Sequence, residues 1–362
     1  MASEKKTPRI MGLDGLRTLA LVGVLLYHMF PKAVPGGFYG VILFFVISGF
    51  LAGYSGTKEL RAGKFSIFRY YVKRFFRIYP ALIIVLFVSI GVMTFVDVDR
   101  MANIPEEVTS ILLGYNNFWQ LKMNASYFTN LTNTSMFTHL WYVAILIQFE
   151  LVWPFFLTVY GIARRHQSPG TGVAILAGLT AFTYFIMPAM YLFQKDPNIT
   201  RIYYGTDTRI FSLLGGALLG IMYGEGVRMG FPYRKNKVIA YLFTALFLGT
   251  TVFLYLKGNG QAGVTYICGM ALYTLFCVLA IDCVSERKTG VGKVLDFLPF
   301  KWISKYSYEI YLWQYPVLFL TGIVMVKAEP ALFYGVQAVL ILVLSLWLNR
   351  FSGQIARIFL KK

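Results

Sequence analysis

Apolar residues along this chain gather into long runs bounded by charged or turn residues. A helix crossing a hydrocarbon core of about 30 Å needs about 20 mainly apolar residues. Ten runs meet or approach that length: 10–30, 38–54, 78–96, 140–162, 172–193, 210–223, 238–256, 264–284, 302–326 and 331–348. The sixth is short and glycine-rich, and its ends are the least defined. The pattern predicts an all-α polytopic membrane protein of about ten transmembrane helices.

Composition agrees, since 57% of the residues are hydrophobic and only 14% charged, far from the soluble average. A net charge of +18 would point to nucleic acid if it formed one face, but the cations are spread along the chain with a rhythm. With the N-terminus and its Lys5, Lys6 and Arg9 placed inside, the inner segments hold 24 Lys and Arg and the outer segments eight. Arg17 and Lys305 lie within helices. This asymmetry follows the positive-inside rule, predicts both termini in the cytoplasm, and makes nucleic acid an unnecessary partner. Cys268, Cys277 and Cys283 all fall in the eighth run and read as small apolar residues. No disulfide framework or metal motif is present. The first run has a basic preface but no small-residue cleavage site, so it is expected to stay in the mature protein. Sequons at Asn124, Asn130 and Asn133 lie in the outer segment 97–138 and matter only in a glycosylating secretory pathway.

Ionisable residues in lipid-spanning helices are costly and mark function or buried pairing. Arg17 and His28 are eleven positions apart, which returns them to nearly one helix face about 16 Å apart along the axis. The face would carry a cation near the cytoplasmic mouth and an imidazole deeper, a phosphate ligand and a proton acceptor respectively. Pairing of Arg17 with Asp14 and an interhelical bond from His28 is the structural alternative. Between Lys58 and Arg77 lie seven cations and one acid, Glu59. Arg69, Lys73 and Arg77 recur every four residues with Arg74 beside them, a face suited to a phosphate-bearing polyanion such as coenzyme A; topology alone would also make this loop basic. On the outer side His139 and Trp141 open the fourth helix, and Tyr203-Tyr204-Gly205-Thr206-Asp207-Thr208-Arg209 opens the sixth. Such hydroxylated aromatics with an Asp207/Arg209 charge pair suit a sugar, although aromatics also form interfacial belts. Gln148, Glu150, Glu309 and Gln314 could line a polar cavity or pair between helices. His166 reads as solvated, and Ser48 with Gly49 as a close-packing site.

Together these segments resemble the membrane-bound acyltransferase-3 family, which includes bacterial O-antigen and peptidoglycan O-acetyltransferases. The carriers run through nearly the whole chain: Leu13-Asp14-Gly15-Leu16-Arg17 with Tyr27-His28, Phe44-Phe45-Val46-Ile47-Ser48-Gly49-Phe50, Lys73-Arg74-Phe75-Phe76-Arg77-Ile78-Tyr79-Pro80, His139-Leu140-Trp141 with Gln148-Phe149, Thr208-Arg209, and Ser307-Tyr308-Glu309-Ile310-Tyr311-Leu312-Trp313 ending at Pro316. The segment from Tyr203 to Arg209 looks closest to Gram-positive peptidoglycan enzymes. The resemblance implies a plasma-membrane enzyme with acyl-CoA, acetyl-CoA in the first instance, as cytoplasmic donor and a hydroxyl of an extracytoplasmic glycan as acceptor. It assigns His28 as catalytic base or transient acyl carrier, and Arg17, Arg74 and Arg77 as coenzyme contacts. Two departures stand out: Leu146-Ile147 where many relatives have Glu-Glu, and Gln314 where many have histidine. Peptidoglycan enzymes of this group also commonly append an extracytoplasmic esterase-like domain. Here 1–362 reads as a single membrane domain, so either a separate esterase-like protein completes transfer, this domain modifies the acceptor itself, or the sequence is a piece of a longer protein. The rival is a transporter or exporter of a glycan or small molecule, but no internal repeat or matched pair of broken helices favours it.

Overall fold

A computed structural model describes residues 10–101, 103–123, 135–166 and 168–360. The three sequons and the basic residues before Ile10 lie outside the described residues. The described chain is helical, with no strand among the described residues. In order the helices are α1 (Leu13–Met29), α2 (Tyr39–Arg61), α3 (Ile67–Val96), α4 (Ile104–Leu112), α5 (Asn116–Lys122), α6 (Trp141–His166), α7 (Pro169–Leu192), α8 (Ile199–Tyr204), α9 (Thr206–Glu225), α10 (Lys237–Lys257), α11 (Met270–Val284), α12 (Val291–Leu295), α13 (Leu298–Lys305), α14 (Ser307–Val324) and α15 (Pro330–Leu360). Each of the ten apolar runs falls on helix, the ninth divided between two. Among the described residues seven are long and apolar enough to cross a membrane: α2, α3, α6, α7, α10, α11 with the preceding turn, and α15. The other three runs form α1, α9 and α14, which are shorter or more polar and pack inside the bundle.

Burial sorts the helices into a centre and a rim. The most apolar window of α2 is 78% buried, whereas α7, α10 and α15 bury 22%, 28% and 22% of theirs. Large side chains on those outer helices, such as Phe182, Phe185, Phe253 and Val343, face outward, as a helix in lipid requires. The centre is held by close backbone approach. A Cβ added at Gly49 of α2 would stand 1.9 Å from the Leu213 carbonyl oxygen of α9, and one at Gly216 of α9 would stand 2.0 Å from the Val46 carbonyl oxygen. Small residues at such crossings let dispersion and interhelical contacts hold helices in a solvent as apolar as their own side chains.

The ninth run is not one helix, as its apolar length suggests. The backbone breaks at Tyr306 between α13 and α14, so Lys305 ends a short helix and Ser307 starts the next. This break lets the chain lie along α1: Thr18 donates to the Phe300 carbonyl at 3.0 Å, and Ser304 donates to Asp14 at 2.8 Å. At the start of α1 Asp296 accepts from the backbone N–H groups of Gly12 at 2.9 Å and Asp14 at 3.2 Å. It thereby serves as the cap that Gly12 has no side chain to supply. Burial pushes the Asp296 carboxyl above the usual carboxylate range, an effect opposed by those backbone donors.

Candidate active site

Arg17 of α1 and Arg74 and Arg77 of α3 converge on one cavity of about 230 Å³, also lined by Ser48, Tyr142, Glu150, Tyr308 and Glu309. The arginines meet because α3 begins before the apolar run and carries its basic stretch as helix, with Ser66 accepting from the Arg69 N–H as its cap. Glu150 is 6% exposed and pairs with Arg74 Nε at 3.1 Å. The Tyr70 hydroxyl donates to the same carboxylate, and the Arg74 guanidinium lies 5.0 Å from the Tyr70 ring centroid. Arg77 opens to the cavity and has no ion-pair partner among the described residues. The lining sets Arg17, Arg74, Arg77 and Lys305 against the carboxylates of Glu150 and Glu309, an excess of positive charge that suits phosphate. Glu309, which also lines the cavity, accepts from Asn349 at 2.8 Å.

The other two cations of the sequence stripe do not join them. Lys73 pairs with Glu59 at 2.8 Å on the surface, and Arg69 is exposed away from the cavity. Ser48 lines the cavity as well as sitting beside the close-packed Gly49.

Higher along α1, His28 Nδ1 lies 3.0 Å from Gln314 Oε1 of α14. The Tyr315 ring packs against His28 at 5.1 Å and against His139 at 5.3 Å between centroids. His139 is thus not a surface residue: it is 1% exposed, its Nε2 donates to the Leu312 carbonyl at 3.2 Å, and its own carbonyl accepts from the Tyr311 hydroxyl. Trp141 is also 1% exposed and packs on Tyr203 and Tyr204, so these aromatics are core and not an interfacial belt.

The expected Asp207/Arg209 pair does not form. Both fall inside α9, where two positions differ by about 200° around the axis. Asp207 instead accepts a two-pronged pair from Arg201, at 2.9 and 2.8 Å. Arg209 turns inward, 1% exposed, with its guanidinium 4.7 Å from the Tyr203 ring centroid and 5.6 Å from that of Trp141. Gln148 lies apart from the cavity and ties the outer helices to the bundle, donating to the Gly114 carbonyl at 2.7 Å and to Asn117 at 2.8 Å and accepting from Thr206. His166 is exposed, and the three cysteines are free. Sequence reasoning missed Tyr70 and Tyr308, whose hydroxyls anchor Glu150 and the Ile78 carbonyl at the cavity wall. Among the described residues no group of three His, Cys, Asp or Glu is placed to hold a metal.

The acyltransferase domain matches residues 10–350 of this chain. The chain belongs to the acyltransferase-3 family. It is 30% identical over 349 residues to the peptidoglycan O-acetyltransferase OatA of Listeria monocytogenes, covering 93% of this chain and 53% of that protein. It is 30% identical over 343 residues to the putative peptidoglycan O-acetyltransferase YrhL of Bacillus subtilis, covering 92% and 52%. A putative O-acetyltransferase of Staphylococcus aureus is 27% identical over 316 residues, covering 87% and 51%. The chain therefore spans about half the length of the curated relatives it matches. No solved structure matches. Family membership and the seven apolar helices together make this a multi-pass membrane protein of the acyltransferase-3 family.

Proposed function

We propose that this acyltransferase-3 domain moves an acyl group, acetyl in the first instance, from cytoplasmic acyl-CoA to a hydroxyl of an extracytoplasmic glycan such as peptidoglycan or another cell-surface polysaccharide. The observation that carries the reading is the convergence of Arg17, Arg74 and Arg77 on one cavity, with His28 further along the helix that bears Arg17. The guanidiniums bind the phosphates of the donor, and the pantetheine arm extends the thioester along α1 toward the imidazole. In the overall reaction the acceptor oxygen attacks the thioester carbonyl, the C–S bond breaks, and the thiolate of coenzyme A leaves with the proton given up by the hydroxyl. His28 handles that proton as a base, or carries the acyl group briefly on its ring.

The asymmetry of basic residues between alternate loops supports a cytoplasmic face for the arginine cavity. The names of the Listeria and Bacillus relatives support a peptidoglycan acceptor. Delivery runs directly from this domain or through an extracytoplasmic esterase-like protein or domain. The test is purified protein in liposomes, with labelled acetyl-CoA offered to one face and soluble peptidoglycan fragments to the other. Label on the fragments only when the donor meets the arginine face supports the reading; donor consumption from the opposite face overturns its sidedness. Movement of an intact glycan without loss of thioester would favour an exporter.

A further inference from the structure

We propose that Gln314 is a positioning residue for His28, holding the imidazole with its proton on Nδ1 so that Nε2 is the basic nitrogen; this rests on the acyl-transfer reading above. Neutral histidine carries one ring proton, and the bond made by one nitrogen decides what the other can do. His28 Nδ1 lies 3.0 Å from Gln314 Oε1, an amide oxygen that can only accept. The Gln314 side chain is wholly buried, and its Nε2 has no hydrogen-bond partner among the described residues. The amide is therefore committed through its oxygen to the histidine. A residue kept polar at this depth, with half of its bonding capacity unused, has a reason other than packing.

The neighbouring histidine is held the other way round. His139 Nε2 donates to the Leu312 carbonyl, which can only accept, so its proton sits on Nε2 and its buried Nδ1 is an acceptor with no partner among the described residues. Both rings flank Tyr315. Residues of one short stretch of α14, the Leu312 carbonyl and the Gln314 side chain, thus fix opposite tautomers on two rings that share one aromatic neighbour. That contrast supplies an internal control.

The experiment uses the full chain in detergent with ¹⁵N-labelled histidine, whose protonated and unprotonated ring nitrogens resonate at well-separated positions. The chain has three histidines, assigned by His139→Asn and His166→Asn. The expected result is an Nδ1–H ring for His28 and an Nε2–H ring for His139. Gln314→Met, which keeps the length and removes the acceptor, should release His28 from that tautomer. It should also lower kcat for coenzyme A release on the order of a hundredfold, the typical reach of a misplaced general base, with KM for acetyl-CoA unchanged. Gln314→Glu keeps an oxygen at the same place and should retain more of the rate than Gln314→Met. A His28 proton on Nε2 in the unmodified protein, an unchanged tautomer in Gln314→Met, or an effect on KM alone would each overturn the proposal. An Nδ1–H ring in a protein that does not consume acetyl-CoA would uphold the pairing and defeat the acyl-transfer reading instead.

Discussion

Arg77 is the residue at which coenzyme recognition can be separated from stability. Removing Arg74 would strand the buried Glu150 carboxylate, a defect worth about 3–5 kcal/mol that would confuse binding with folding. Arg77 has no ion-pair partner among the described residues and shares its cavity with two other guanidiniums, so Arg77→Ala relieves like-charge repulsion and leaves no carboxylate unpaired. The folded protein should keep its thermal midpoint. What is lost is a charge-assisted hydrogen bond to phosphate, about 1.5–3 kcal/mol, hence a roughly ten- to hundredfold rise in KM for acetyl-CoA. The assay is release of free thiol in detergent, run in parallel with acetyl-pantetheine, which lacks the nucleotide and its phosphates. The unmodified enzyme should prefer acetyl-CoA, and Arg77→Ala should close most of that gap by losing only the better donor. Arg77→Lys should fall between, since it keeps the charge but not the planar fork. An unchanged ratio of kcat/KM between the two donors would refute the role given to this cavity.

Two further outcomes follow from the packing. Gly216→Ala would drive a Cβ to 2.0 Å from the Val46 carbonyl oxygen, so α2 and α9 must part, at a cost of about 1–3 kcal/mol seen as a lower thermal midpoint; Gly178→Ala, with open space around it, should be neutral. Glu107 lies in α4, outside the membrane-spanning helices, and burial pushes its carboxyl up to about 7. The Ser135 hydroxyl, 2.6 Å from both of its oxygens, and the Gln120 amide at 3.3 Å oppose that rise without reversing it. The folded state therefore binds this proton more tightly: the stabilisation is full below about pH 4.5 and is lost as pH rises through about 7, about 3 kcal/mol in all. Hydrogen exchange of 104–122, corrected for intrinsic rates, should speed up over that window, and Glu107→Gln should flatten the response.

The helices were legible because a lipid solvent demands long apolar runs, and each of the ten runs became helix. The break at Tyr306 was not, since a single non-helical backbone angle pair leaves no mark on hydropathy. Within the site, Arg17, Arg74 and Arg77 could be named from helical spacing and charge, but spacing alone could not separate them from Arg69 and Lys73. That division depends on Glu59 and Glu150, one a surface partner for Lys73 and the other a buried partner for Arg74 brought in from α6. Asp207 and Arg209 were misread as a pair because neighbours in sequence were treated as neighbours in space. Gly205 turns the chain between α8 and α9 and brings Arg201 to Asp207 instead. Gln314 could be seen as polar and deep, yet its bond to His28 needed the third dimension.

The most direct test of the central claim is to mix purified protein with acetyl-CoA labelled in its acetyl group and to follow free coenzyme A and protein-bound label, unmodified chain beside His28→Ala. The account predicts coenzyme A release that His28→Ala abolishes while its thermal midpoint and abundance hold, with label on the protein if the imidazole carries the acyl group and none if it acts only as a base. Release that persists at full rate in a folded His28→Ala protein would contradict the account.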